Sequence, residues 1–360
     1  MKINSDELLR AMEIVNPILQ DSTINEHTQF IIQAQEGSLE IGGQSIDSSI
    51  NIVMPFTQIL GDYSIRINKM LFETLKLFPK GTEVDISFNE DLLKLVVSVE
   101  TKTFTFGVFQ KERFELLNEG EEICKIDSQV LFELIDAVDF AVMSDNMKPE
   151  LCGAFFQFGE NGITATATNS HVMAKKTVSG IVCERYEAII SAEHLKVIKN
   201  MLVKEKKQVT IIKTDNGATI NVSSDNVTTK FRVIKGKYPD VAPIFNSLQP
   251  KGTMTIKAKD LLQAIKRMQI LNNNAKIVGN KVKFGIGVDE LIIESQNGEG
   301  RESVEGLITE NPVDFVTFST SIIPILMKLK ESILLKVDSG TKAILCEAEG
   351  VTYLFMPARV

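Results

Sequence analysis

The sequence has few of the parts from which active sites are made. Its four cysteines, Cys124, Cys152, Cys183 and Cys346, stand singly with no CxxC pair. That spacing argues against a redox motif and points to reduced, structural thiols. The three histidines, His27, His171 and His194, lie at no metal-ligand spacing from one another or from a cysteine, so neither a metal site nor a cofactor is expected. No apolar run reaches membrane-spanning length. The opening MKINSDELLRAMEIV puts acids where a signal peptide needs a continuous apolar stretch, and reads as a mature cytoplasmic N-terminus. GxSxG, HExxH and the phosphate-binding GxxxxGK[ST] are all missing, which excludes a P-loop ATPase. Gly285-Ile286-Gly287 lies in an alternating strand pattern and lacks the third glycine of a dinucleotide loop. Ser170 beside His171 is the nearest approach to a nucleophile and base. Neighbours on a strand or tight turn point to different sides, and no third orienting group can be named. No catalytic residue is therefore assigned.

The charge balance is also unhelpful at first sight. With 47 acids against 39 bases the net charge is −8, which weighs against nucleic-acid binding unless the bases gather on one surface. The 360-residue length suggests two or three domains, and 44% hydrophobic with 24% charged residues is a globular composition.

One pattern occurs three times. Helical stretches with apolar residues at i, i+3, i+4 and i+7 begin at Ser5, Asp127 and Ala258. Each is followed by two alternating strands about a turn: FIIQAQ with SLEIGG, AFFQFG with ITATAT, and VKFGIG with ELIIES. A second helix follows from Asn68, Ser191 and Ser319, and then three more strands. Polar linkers, Asn118 to Glu122 and Asn246 to Gly252, mark the seams. The reading is an α+β chain of three repeated domains, 1–120, 121–247 and 248–360, each with two helices and antiparallel sheets.

Lysines recur on the solvent side of these helices: Lys69, Lys76 and Lys80 with the first copy, Lys196, Lys199, Lys204, Lys206 and Lys207 with the second, Lys328 and Lys330 with the third. Lys266 and Arg267 add to the third copy's first helix, and Lys148 is read with the set. A solvated helix face explains any one of them. Their recurrence favours a shared basic wall that would hold a duplex by its phosphates. Few aromatics and no Arg/Asn/Gln cluster accompany them, so sequence readout is not expected.

Three local motifs then carry a resemblance that runs over essentially the whole chain. The ending Tyr353-Leu354-Phe355-Met356-Pro357-Ala358-Arg359-Val360, the run from Ala167 through Thr168, Asn169, Ser170, His171 and Val172 to Met173 and Ala174, and the turn Gly236-Lys237-Tyr238-Pro239-Asp240 are similar to those of the bacterial DNA polymerase III beta subunit, the beta sliding clamp family. The resemblance implies a DNA clamp fold in which two chains join head to tail as a six-domain ring around double-stranded DNA. It also implies a non-catalytic processivity factor that tethers DNA polymerase and the clamp loader through short apolar peptides. A basic lining and an acidic exterior would reconcile DNA binding with the net charge. The peptide pocket it implies comprises Leu151, Thr168, Ser170, His171, Val172, Met173, Pro239, Ile244, Leu354, Met356, Pro357, Arg359 and Val360. For the ring seam it implies Phe104 and Phe106 of one chain against Ile270 and Leu271 of the other, with Lys102 to Phe106 as an edge strand needing cover.

This chain departs from the family's Gly-His-Arg-Leu, which reads Ser170-His171-Val172-Met173 and so loses an arginine. Pro243 stands where the family often has a base, and the loop Asp21 to Glu26 lacks a base that in the family touches DNA. The competing readings are a clamp-like scaffold that does not encircle DNA and, with less support, an enzyme using His171 and Ser170.

Overall fold

The computed structural model describes all residues except 1, 20–27, 36, 57–60, 111, 115, 117–118, 146–147, 203–206, 275–280, 287–288, 311–314, 340 and 359–360. Its element order repeats three times. The first copy is β1 (Lys2–Asn4), α1 (Ser5–Val15), β2 (Phe30–Gln35), β3 (Ser38–Gln44), β4 (Ser48–Pro55), β5 (Tyr63–Ile67), α2 (Met70–Leu75), β6 (Glu83–Asn89), β7 (Lys94–Val99) and β8 (Lys102–Gln110). The second is β9 (Glu121–Asp127), α3 (Ser128–Val138), β10 (Gly153–Gly159), β11 (Gly162–Thr168), β12 (Val172–Ser179), β13 (Tyr186–Ser191), α4 (Ala192–Leu202), β14 (Gln208–Thr214), β15 (Thr219–Ser224) and β16 (Val227–Arg232). A short helix, α5 (Ala242–Ser247), leads to the third. That copy is β17 (Gly252–Lys257), α6 (Ala258–Asn274), β18 (Lys281–Ile286), β19 (Glu290–Ser295), β20 (Arg301–Glu310), β21 (Phe315–Phe318), α7 (Ser319–Lys328), β22 (Ser332–Val337), β23 (Ile344–Ala348) and β24 (Val351–Phe355).

The helices start where side chains can satisfy the free N–H groups of a first turn. The Asn4 Oδ1 accepts from the Asp6 N–H at 2.8 Å, and the Asp127 Oδ1 from the Gln129 N–H at 2.7 Å. Leu8, Ala11, Met12 and Val15 form the buried stripe of α1. Strand β3 comes so close beneath α1 that a Cβ on Gly43 would lie 2.5 Å from Val15 Cγ1, which fixes glycine there.

The chain divides into two compact units, residues 1–132, 182–186 and 190–233 in one, and 133–181, 187–189 and 234–360 in the other. In the first, strands run in the order β1-β6-β7-β8-β5-β2-β3-β4-β16-β15-β14-β9. Its core includes Phe30 against Phe72, with ring centres 5.6 Å apart. In the second the order is β13-β10-β11-β12-β24-β23-β22-β17-β20-β19-β18-β21, over a core containing Phe156, Phe284, Tyr353 and Phe355. Each sheet therefore continues from one repeat into the next. The joining ladders are β4 with β16, where Ile50 faces Thr229, and β12 with β24, where Met173 faces Leu354.

All four cysteines are free, and Cys124, Cys183 and Cys346 are buried. Burial pushes the Cys346 thiol up to about 12 and raises Cys124 further still. No described helix is long and apolar enough to cross a membrane.

Candidate functional site

Three segments distant in sequence meet around one end of the β12–β24 ladder. The first is the turn before β12, held by its own side chains. The Asn169 Oδ1 accepts from the N–H groups of His171 at 3.0 Å and Val172 at 2.9 Å. The Thr168 hydroxyl donates to the Val172 carbonyl at 2.8 Å and accepts from the Ser170 N–H at 3.2 Å. This places Ser170 at a φ of 72°, a left-handed conformation that costs a serine more than a glycine. Ser170 and His171 are exposed, while Val172 and Met173 are buried.

The second segment is the chain's end. In the ladder Val172 pairs with Phe355 and Met173 with Leu354, and the Met356 N–H donates to the His171 carbonyl at 2.9 Å. Pro357 forms an isolated bridge with Thr317, whose hydroxyl donates to the Met356 carbonyl at 3.3 Å. Arg359 and Val360 lie outside the described residues.

The third segment is α5. The Asp240 carboxylate accepts from the Ala242 N–H at 3.0 Å and Pro243 occupies the first turn, both favourable at a helix start. Val241, Phe245 and Leu248 pack on Met173, Leu354 and Ala343, with Leu345 at the margin. Ile244 and Met356 stand 40% and 42% exposed, apolar groups left available on the rim. Leu151 joins a second cluster with Ile189 and Tyr238, and Tyr238 stacks on Phe155 with 5.0 Å between ring centres. Burial, partly offset by the Thr168 backbone, raises the Tyr238 hydroxyl above the ordinary tyrosine range. Pro239 is exposed beside it.

Of the expected pocket residues, the structure thus brings His171, Val172, Met173, Leu354 and Met356 into direct register. It sets Leu151 in the adjacent cluster. Sequence reasoning missed Val241, Phe245, Leu248, Ala343 and Leu345. The first three were legible: with Ile244 they fall at i, i+3, i+4 and i+7 behind an aspartate cap, although the stretch reads equally as the approach to a linker.

The basic residues divide by what they already bind. Lys80, Lys148 and Lys196 are exposed and make no ion pair with a described residue. Lys69 donates to the Leu19 carbonyl at 3.3 Å, Lys199 lies over Phe132, and Lys266 is half-buried. Lys76 is bound to Glu73 at 2.9 Å and lies over the Phe72 ring. Arg267 Nε donates to Glu302 at 2.8 Å. Lys328 is the most committed: its Nζ meets Asp136 Oδ1 at 3.0 Å, Asp139 Oδ1 at 2.8 Å and the Asp136 carbonyl at 2.6 Å. Lys204 and Lys206 lie outside the described residues, as does the loop Asp21 to Glu26.

The expected seam residues sit differently from one another. Phe106 is buried and Phe104 half-buried against Phe78, so the two same-face rings point into their own repeat. What β8 leaves open is backbone. Among the described residues Lys102–Gly107 pairs with β7 only, and β5 takes up the ladder from Val108 onward. Ile270 is 62% exposed, and Leu271 lies beside Gly300, where a Cβ would meet its Cδ1 at 2.3 Å.

A family model for the DNA polymerase III beta subunit, central domain, matches residues 125–240. A beta sliding clamp of Staphylococcus aureus (strain Mu50 / ATCC 700699) is 25% identical over 349 residues, covering 91% of this chain and 90% of that protein. The chain is similar to beta sliding clamps along most of its length. A clamp of Staphylococcus epidermidis is likewise 25% identical, over 79% of this chain and 76% of its own. The fold agrees throughout. A DNA polymerase III beta subunit from Thermotoga maritima superposes with a TM-score of 0.88 at 19% identity, covering 100% of this chain and 99% of that one. A sliding clamp from Bacillus subtilis gives 0.86 at 20%, covering 100% and 98%.

Proposed function

We propose that this chain is a DNA sliding clamp, a non-catalytic processivity factor of three domains, 1–120, 121–247 and 248–360. Two copies join head to tail as a ring around duplex DNA in the cytoplasm, and the pocket at the β12–β24 ladder captures apolar peptides of DNA polymerase and the clamp loader. One observation carries the reading. The third strand after a repeat's first helix pairs with the last strand of the next repeat twice, as β4 with β16 and as β12 with β24. The members of that series left over are β20, at the end of the chain's repeats, and β8, at their start. On β20, Arg301–Glu305 pairs among the described residues with β19 only, before β17 takes up the ladder at Gly306. On β8, Lys102–Gly107 is open in the same way. A second copy supplies the missing partner by the rule the chain already uses twice, and exposed sheet edges require such cover. Exposed Lys80, Lys148 and Lys196 support phosphate contact without base readout.

A scaffold of the same form that does not encircle DNA is favoured by the ion pairs that occupy Lys76, Arg267 and Lys328. One experiment separates the two. After loading, a clamp stays on nicked circular DNA and is lost when that DNA is cut to a linear form; the scaffold shows no difference between the two.

A further inference from the structure

We infer that Lys175 makes the peptide pocket selective for a segment whose apolar residues adjoin a carboxylate. The inference rests on the peptide-pocket reading above and adds the chemical class of the partner. Lys175 lies two residues beyond Met173 on β12, so the two side chains share a face of the sheet. Thr352, opposite Lys175, likewise shares a face with Leu354, opposite Met173. The Lys175 ammonium stands 5.6 Å from the centre of the Phe245 ring, and Phe245 packs against the Met173 and Leu354 floor. A half-buried lysine thus ends on the wall of the apolar patch, its stem laid along apolar surface and its charge at the rim.

Its charge has no carboxylate within ion-pair reach among the described residues, and the nearby charged groups are already committed. Lys176, on the opposite face of the strand, is bound to Glu133 at 3.2 Å. Asp338 is taken by Lys342 at 2.7 Å and by the Gln249 N–H at 2.9 Å, and Lys342 also donates to the Ser247 carbonyl at 3.2 Å. Asp240 caps α5. The floor is apolar, and among the described residues Lys175 brings an uncommitted positive charge to the rim, where Phe245 holds it against the floor. An occupant of complementary charge places an Asp or Glu beside its apolar anchors. A lysine there would meet like charge in a partly desolvated setting.

The test uses the full-length protein and two fluorescein-labelled peptides that share a Leu-Leu-Phe core and differ only in a flanking Asp or Lys. Fluorescence anisotropy is expected to give about fivefold tighter binding of the Asp peptide, a preference that shrinks with added salt. Lys175→Met keeps the aliphatic stem and is expected to equalise the two peptides without moving the Tm, and Lys175→Glu to reverse their order. Equal affinities for wild type, or a preference unchanged in Lys175→Met, would overturn the role of Lys175 and leave the pocket standing. Binding of neither peptide at high micromolar concentration would overturn the pocket reading, and Lys175's role with it.

Discussion

The Met356 N–H donates to the His171 carbonyl at 2.9 Å, tying the chain's last strand to the turn that opens β12. That bond fixes the rim of the apolar patch from two sides, so Met356 projects from a backbone anchored on both flanks. Because Met356 and Ile244 are 42% and 40% exposed, truncating them removes apolar surface from the rim without opening a core cavity. Met356→Ala and Ile244→Ala are each expected to weaken apolar-peptide binding by about 1 kcal/mol. Anisotropy titration measures the loss, and unchanged thermal unfolding confirms that the fold is intact.

The seam gives a second test. Ile270 is 62% exposed in one chain, and in the proposed ring it is covered. Ile270→Asp is expected to bring the sedimentation mass from twice 40.0 kDa to 40.0 kDa with the Tm of each unit kept. Phe106→Asp is a poorer probe. Its ring is buried in its own repeat, so the substitution is expected to cost about 3 kcal/mol of folding stability whatever happens at the seam.

DNA binding is expected to depend on the uncommitted lysines. Replacing Lys80, Lys148 and Lys196 together by alanine should flatten the slope of log K against log salt by about 0.9 for each phosphate that is no longer neutralised. Lys328→Ala should leave that slope in place. It should instead lower stability by about 2 kcal/mol, since Asp136 and Asp139 lose their shared cation. Filter binding across a salt series and chemical denaturation read the two effects separately.

A pH effect follows from Asp47. Its carboxyl is lowered from 3.8 to about 2, chiefly by the His194 side chain, against a smaller opposing effect of burial. His194 Nε2 stands 3.9 Å away, on a ring stacked upon Phe231. A carboxyl whose pKa is depressed by folding stabilises the protein above its unfolded pKa, and that contribution vanishes as pH falls through the folded value. The window is therefore about pH 4 to pH 2. Asp47 is half exposed, so solvent screening keeps the effect under about 1 kcal/mol. Asp47→Asn should flatten the urea midpoint across that window; a midpoint that still falls as steeply would exclude the pair as the cause.

Much of the fold was legible because periodicity reports burial. All six long amphipathic stretches became helices, and the paired strands appear about the expected turns. The strands overlooked include β4 and β12, the ones that join repeats. Ser48–Pro55 alternates clearly, with Ile50 and Ile52 buried, but its partner β16 lies in the next repeat, and a local pattern does not name a distant partner. The apolar patch was legible at its ends, through Met356 and His171. Ala343 and Leu345 enter it only through strand register. The inward turn of Phe106 also escaped detection, because two same-face phenylalanines look alike from either side of a strand.

The sheets that run on from one repeat to the next bear on how the chain can be cut. A fragment ending at a repeat boundary would strip β16 from β4 or β24 from β12, leaving a long bare ladder prone to pair with any strand it meets. The middle repeat suffers twice, since its β16 and β12 each hold a neighbour's strand. Expressed alone it should aggregate, whereas intact chains should melt in at most two steps. In this protein sequence duplicates in thirds, while the sheets are divided in halves.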